Sequence, residues 1–189
     1  NATKTPIVPL SGNTGLAGGG YAGEEGEKII LSTDRMNQIL DINPKSRTAK
    51  VEAGVILANL HTAVDAHDLV FPLLFGARGS CMIGGNLSTN AGGSNVVRYG
   101  NTRALCLGLE AVTADGEILN LMSELHKDNT GYDLKDLFIG AEGTLGIITA
   151  AVLKLFPKPK AYATAMVSVP DIAGALDLLH QIQAASGGG

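Results

Sequence analysis

The rhythm of apolar and polar positions changes several times along the chain, and each change marks an element. Residues 6–10, Pro-Ile-Val-Pro-Leu, and residues 28–32 are short apolar runs of strand length. After a turn at 34–37, residues 38–43 and 48–52 flank Pro44-Lys45-Ser46-Arg47, which predicts a hairpin. Leu57, Leu60 and Val64 recur at helical spacing and predict a helix over 56–66, broken by Phe71-Pro72. Residues 108–113 and 117–121 pair across Ala114-Asp115-Gly116, where Asp-Gly supplies the positive backbone angles of a tight hairpin turn. Residues 133–138 make one helical turn, and 146–156 form a β-branched strand stopped by Pro157 and Pro159. Beyond the prolines, 162–169 alternate as a new strand. Asp171 then caps a helix over 172–184 that carries Ile172, Leu176, Leu179 and Ile182 on one stripe. Strands outnumber helices and follow in hairpin order. The expected fold is α+β with a mainly antiparallel sheet over 38–156, unlike a doubly wound nucleotide domain.

Composition narrows the function. With 189 residues, 45% hydrophobic and 17% charged, the chain can build a globular core. A net charge of -4 and scattered Lys and Arg give no field for nucleic acid. Cys81 and Cys106 lack CxxC spacing and read as buried, reduced thiols. No apolar run approaches the roughly 20 residues of a membrane helix, and Asn1 begins no signal peptide. The expected location is cytoplasmic, or the mitochondrial matrix in a eukaryote. Asn1 in place of Met, and the glycines at 187–189, read as the ends of a fragment.

His61, His67, His126 and His180 show no metal spacing, and each reads as a solvated or hydrogen-bonded residue. There is no GxSxG elbow, no Cys-His pairing and no arranged pair of carboxylates, so hydrolysis has no support and no catalytic residue is assigned. Arg78 and Arg98 read as surface or loop-tying cations, or as cations facing a phosphate or a carboxylate substrate, and Met36 and Met82 as core fillers.

What demands an explanation is 25 glycines against no tryptophan. They gather in three loops. The first, Gly12-Asn13-Thr14-Gly15-Leu16-Ala17-Gly18-Gly19, follows a strand and holds few side chains, so its N–H groups can converge as a phosphate nest. A tight turn of left-handed glycines fits equally. Gly18, Gly20 and Gly23 also spell GxGxxG, but Glu24-Glu25-Gly26 follows instead of an amphipathic helix, so a Rossmann site is rejected. The second loop runs over 79–93, with Gly84-Gly85 and Gly92-Gly93 around a short helix. Its amides and hydroxyls suit a flat, polar-edged ring, or a sharply turned surface segment. The third, over 140–148, enters a strand through three glycines, and Glu142 either bonds a ligand hydroxyl or closes the turn.

In this order, with Lys127-Asp128-Asn129-Thr130-Gly131-Tyr132-Asp133-Leu134 between the last two, the loops resemble the FAD-binding (PCMH-type) module of the vanillyl-alcohol oxidase superfamily. Leu74-Phe75-Gly76-Ala77-Arg78-Gly79-Ser80-Cys81 and Arg98-Tyr99-Gly100 look most like its D-2-hydroxyglutarate and D-lactate dehydrogenase branch. The resemblance implies that Pro9, Ser11, Gly12, Asn13, Thr14, Gly15, Leu16 and Gly19 cradle the FAD pyrophosphate. It lays Gly76, Gly79, Ser80, Ile83, Gly84, Gly85, Asn86, Thr89, Asn90, Ala91, Gly92 and Gly93 along ribityl and flavin, with Gly100 and Tyr99, the latter reading equally as a core tyrosine. Glu142, Gly143, Gly146, Ile147 and Ile148 fall near the adenosine half. Thr14 stands where relatives with covalent flavin often carry His, which implies noncovalent FAD.

The same resemblance implies a remnant of a first FAD-binding lobe at 1–33, a second lobe at 34–157 and the start of a substrate domain at 158–189. It implies oxidation of a D-2-hydroxy acid by hydride transfer to flavin N5, with reoxidation by a quinone, an electron-transfer flavoprotein or a cytochrome. The base, any divalent metal and the carboxylate clamp are expected beyond Gly189. Self-association into a homodimer stays open, as do a non-catalytic FAD-binding module and a glycolate oxidase-type FAD subunit.

Overall fold

The structure is a computed structural model that describes residues 4–24, 26 and 28–186. Asn1, Glu25 of the Glu24-Glu25-Gly26 segment, and the glycines at 187–189 lie outside the described residues. The chain divides into two compact units, Asn1–Lys158 and Pro159–Gly189.

The first unit is built on a five-stranded sheet in the order β3-β4-β8-β6-β7: β3 (Ile39–Asn43), β4 (Thr48–Glu52), β6 (Cys106–Val112), β7 (Ile118–Leu121) and β8 (Ile147–Lys154). Every pairing in it is antiparallel. The central strand β8 aligns Ala151 with both Val51 and Leu109, so small and branched residues of three strands meet on one buried row. Helix α1 (Leu57–Asp65) adds Leu57, Leu60 and Val64 to the same core. Each fully buried leucine contributes roughly 1.5–3 kcal/mol. Apart from this sheet, β1 (Ile7–Leu10) pairs in parallel with β2 (Ile29–Ser32). A third sheet joins β5 (Leu69–Val70) to β9 (Phe156–Pro157). The fold is α+β and mainly antiparallel, as its hairpin order predicts.

Three local expectations need correction. Pro72 does not end α1: the helix stops at Asp65, the backbone turns through Asp68 at φ 56°, and Leu69–Val70 is already strand β5. At the β6–β7 turn only Gly116 takes a positive φ, 85°. The Gly116 N–H donates to Thr113 O at 3.0 Å, so a four-residue turn ends on one left-handed glycine in place of two left-handed central residues. Residues 162–169 form no strand. Alternation needs a hydrogen-bonded neighbour to become a strand, and the described residues of Pro159–Gly189 hold only helix α5 (Ile172–Ala185). That helix starts as expected, the Asp171 carboxylate accepting the Gly174 N–H at 2.7 Å. Its apolar stripe of Ile172, Leu176, Leu179 and Ile182 is exposed.

Candidate functional site

Strand β1 delivers the first glycine loop. The Thr33 N–H donates to Leu10 O at 3.0 Å, closing the end of the β1–β2 pair, and the chain then leaves the ladder. Ser11 anchors it, its Oγ accepting the Gly85 N–H at 3.1 Å. A Cβ at Gly12 would stand 2.2 Å from Ser80 O and 2.8 Å from Cys81 Cα, so the first loop lies directly on the second. Asn13 and Gly18 are left-handed at φ 49° and 78°. Among the described residues, the backbone N–H groups of residues 12–20 meet no protein acceptor. They are open donors on a curved backbone, the arrangement that binds phosphate.

The second loop begins as a 3₁₀ turn, Gly76–Gly79, and enters α2 (Ile83–Ser88). The first amides of α2 are all taken: Ile83 N–H by Val55 O, Gly84 N–H by Ala53 O and Gly85 N–H by Ser11 Oγ. The glycine pair therefore serves close packing, since a Cβ at Gly84 would fall 2.7 Å from the Ala53 Cβ. Two buried polar side chains line the same wall, with soft partners. Asn86 Nδ2 donates to Cys81 Sγ at 3.6 Å, and Thr33 Oγ1 to Met82 Sδ at 3.7 Å.

The third loop caps α2. Its Gly140 N–H donates to Leu87 O at 3.0 Å and its Glu142 N–H to Ser88 O at 2.9 Å, satisfying carbonyls that the helix end leaves open. Glu142 and Gly143 are both left-handed, φ 53° and 80°, and a Cβ at Gly143 would stand 2.7 Å from Pro9 Cγ. Glu142 thus closes the turn through its backbone, while its Oε2 lies 3.8 Å from the Cβ position of Gly19 in the first loop.

The three loops enclose a cleft of about 290 Å³, near the lower end of small-molecule sites, roughly 300 Å³. Of the expected residues, Pro9, Ser11, Gly12, Asn13, Thr14, Gly15 and Gly19 line it from the first loop. Gly84, Gly85, Asn86, Thr89 and Ala91 line it from the second, and Glu142, Gly143, Gly146, Ile147 and Ile148 from the third. Thr33, Phe75, Cys81, Met82 and Ser88 line it too and were not expected there; Met82, read as a core filler, is half-buried at the cleft.

The other expected residues lie off this lining. Leu16 projects fully into solvent, and Ile83 is buried in the core. Gly76, Gly79 and Ser80 are exposed on the 3₁₀ turn and its end. Gly93 packs on the Leu74 backbone, Gly92 against Asn101, and Gly100 against Ala104. The Tyr99 ring meets Phe156 in a T-shaped contact with centroids 4.7 Å apart, and the Arg98 guanidinium lies over the Tyr99 ring at 5.2 Å. Asn90 spends its Oδ1 on the Arg103 N–H at 3.0 Å and faces a larger, open depression of about 890 Å³ beside β6, β7 and the short helix α4 (Lys135–Phe138). The cations there are committed, Lys135 to Asp133 and Asp136, Arg103 to backbone carbonyls and Lys154 to the Phe156 ring, so the smaller cleft is the candidate site.

Burial pushes the Cys81 thiol up, with the Asn86 hydrogen bond opposing, so that thiol stays neutral. Burial likewise pushes Cys106 up to about 12. The His61 Nε2 is buried, and among the described residues it meets no hydrogen-bond partner of full geometry. Burial holds its pKa below the usual 6.5, countered in part by the backbone of Phe71 and Leu73. Among the described residues no cluster of three His, Cys, Asp or Glu can hold a metal, and no helix is long and apolar enough to cross a membrane.

Open amide donors for a pyrophosphate, apolar walls from Pro9, Ile147 and Ile148, and a few inward polar groups fit a dinucleotide held outside any Rossmann helix. The class is a non-Rossmann dinucleotide-binding fold. The chain belongs to the family described as FAD binding domain, which matches residues 1–122, and FAD is its cofactor. It is 46% identical over 185 residues to a D-2-hydroxyglutarate dehydrogenase of Xanthomonas citri pv. viticola, covering 98% of this chain and 38% of that protein. It is 49% identical over 167 residues to the mitochondrial D-2-hydroxyglutarate dehydrogenase of Danio rerio, covering 88% of this chain and 31% of that protein. The chain thus spans about a third of the length of these relatives. Among solved structures, an alkyldihydroxyacetonephosphate synthase superposes with a TM-score of 0.77 at 25% identity, covering 96% of this chain and 32% of that one.

Proposed function

We propose that this chain is the FAD-binding portion of a dehydrogenase that oxidises a D-2-hydroxy acid, of the 2-hydroxyglutarate or lactate type, to the 2-oxo acid. The observation that carries this reading is identity of 46% sustained over 185 residues, through all three loops, with a relative of that name. Bound FAD supplies the hydride acceptor. The chain's own part is binding: the free amides of residues 12–20 meet the pyrophosphate charge, the second loop lies along ribityl and flavin, and Glu142 to Ile148 hold the adenosine half. Thr14, exposed in the first loop, offers no nucleophilic imidazole to the flavin, which supports noncovalent attachment.

Residues 1–33 and 34–157 are read as two parts of the FAD-binding module, and 158–189 as the start of a substrate domain that would supply base, metal and carboxylate clamp. This chain alone is then inactive. The electron acceptor is a quinone, an electron-transfer flavoprotein or a cytochrome. A Saccharomyces cerevisiae relative, 46% identical over 161 residues, is named a D-2-hydroxyglutarate–pyruvate transhydrogenase, which supports variation of the acceptor among relatives. The proposed location is the cytoplasm, or the mitochondrial matrix in a eukaryote.

The test is an absorbance spectrum of the full-length protein mixed with a panel of D-2-hydroxy acids. Bleaching of the flavin bands by 2-hydroxyglutarate or lactate is expected. A flavin that no D-2-hydroxy acid reduces, although dithionite does, sinks the reading. Yellow colour retained by acid-precipitated protein sinks noncovalent attachment.

A further inference from the structure

Arg103 has no place among the residues expected to touch a cofactor, and it does not line the cleft. It joins two of the loops that do. Its backbone N–H donates to Asn90 Oδ1 at 3.0 Å, at the point where the second loop leaves α2 through the left-handed Asn90, φ 46°. Its guanidinium donates through Nη1 to Asp136 O at 2.9 Å and through Nη2 to Ile139 O at 2.5 Å. Those carbonyls close α4 immediately before Gly140.

The neighbouring Thr102 strengthens the hold. Fully buried, it donates its N–H at 3.0 Å and its Oγ1 at 2.6 Å to the same Ala91 carbonyl. Residues 102 and 103 therefore grip the end of the second loop with one hand and the start of the third with the other. The gripped segments are those that face the cleft, since Ala91 lines it from one side and Glu142 and Gly143 from the other. Of the amides that cap α2, that of Gly140 directly follows the Ile139 carbonyl that Arg103 holds, and that of Glu142 lies two residues further on. A planar fork suits this task, because two carbonyls three residues apart are met by two nitrogens of one rigid group.

We infer that Arg103 is a positioning residue for the cofactor: it locks the second glycine loop to the third, so that both walls of the FAD cleft are set before FAD arrives. The inference rests on the reading that this cleft holds FAD. Without the fork, the third loop can shift against α2, and binding must restore its place at the expense of affinity.

The test uses full-length protein stripped of flavin, as wild type, Arg103→Met and Arg103→Lys. Three quantities are read: FAD affinity by quenching of flavin fluorescence, visible circular dichroism of the bound flavin, and amide exchange at Gly140 and Glu142. Arg103→Met should weaken FAD binding roughly tenfold or more and alter the flavin dichroism, with faster exchange at both amides. Arg103→Lys, which offers one nitrogen where the fork offers two, should recover part of the affinity. If Arg103→Met does not fold, Arg103→Lys carries the test, with affinity several-fold below wild type and faster exchange as the supporting result. Affinity within twofold of wild type in the folded variants, even with a lower melting temperature, overturns the inference and leaves Arg103 a stabilising residue only. Wild-type protein that binds no FAD overturns the cofactor reading itself, and the inference with it.

Discussion

Gly12 and Gly15 stand three residues apart in the first loop, and alanine should separate their roles. At Gly12 the new Cβ would meet Ser80 O at 2.2 Å, about 1.2 Å short of the 3.4 Å where ordinary contact begins. The obstacle is backbone, so no rotamer relieves it and the two loops must part. Forced overpacking costs about 1–3 kcal/mol, and a clash with main chain belongs at the upper end. At Gly15 nothing lies within 4 Å of the Cβ position, and its φ is outside the left-handed range. Alanine there is tolerated by the apoprotein and gains about 0.4–1 kcal/mol by restricting the unfolded chain.

Binding should reverse that ranking of harm. If the pyrophosphate sits on the free amides around Gly15, a methyl group between them and the ligand removes one charge-assisted hydrogen bond, worth about 1.5–3 kcal/mol. That is roughly a tenfold to hundredfold loss of FAD affinity. The assay is a thermal melt of flavin-free protein alongside an FAD titration by fluorescence quenching. Gly12→Ala should melt several degrees below wild type before any FAD is added. Gly15→Ala should melt at or slightly above wild type and yet bind FAD poorly. A Gly15→Ala protein that binds FAD within threefold of wild type would refute the placement of phosphate on this loop.

The remaining predictions concern the support around the cleft. Thr102→Val removes a buried hydroxyl that donates to Ala91 O at 2.6 Å and should destabilise the protein by about 1–2 kcal/mol in urea unfolding; an unchanged midpoint would count against that bond. The folded Cys106 thiol titrates near 12 against an ordinary 9.0 because it is buried. Between those values the unfolded chain binds fewer protons, so its contribution to stability is complete below about pH 9 and is lost as pH rises toward about 12. Urea midpoints of wild type and Cys106→Ala should converge as pH rises from about 8 to about 10.5; parallel pH profiles would contradict the burial argument. Asp171→Ala removes the cap on the Gly174 N–H and should cost α5 about 0.5–2 kcal/mol, seen as faster exchange at that amide.

The parts of the fold that were legible are those decided by neighbours in sequence. The α1 stripe follows from spacing, the start of α5 from one carboxylate three residues before an amide, and the β6–β7 hairpin from a glycine where the turn needs a left-handed residue. Residues 162–169 carry the right alternation, but a strand exists only with a partner, and alternation alone does not supply one. Arg103 gave no signal, because its guanidinium partners are main-chain carbonyls 33 and 36 residues away, and any residue type can provide a carbonyl. Tyr99 shows the same limit, since its neighbour Phe156 comes from the far end of the unit.

The glycines show how far composition can carry a functional reading. Their clustering points to close backbone approach, but it does not say whether the approaching group is ligand or protein. The distances divide them. Gly12, Gly84, Gly93 and Gly143 have protein atoms where a Cβ would go, and their absence of side chain lets one loop lie on another. Gly15 and Gly19 face the cleft, with nothing nearer than the Glu142 carboxylate at 3.8 Å from the latter. The donors sort the same way: the first amides of α2 are spent on Val55, Ala53 and Ser11, whereas those of residues 12–20 meet no acceptor among the described residues. If the cleft holds FAD, its pyrophosphate is expected on the first loop and not at the helix start, although both are glycine-rich. The second and third loops pack against the first through glycines whose Cβ position is already taken by protein, which is why glycine is needed at Gly12, Gly84, Gly93 and Gly143 whatever the cleft holds.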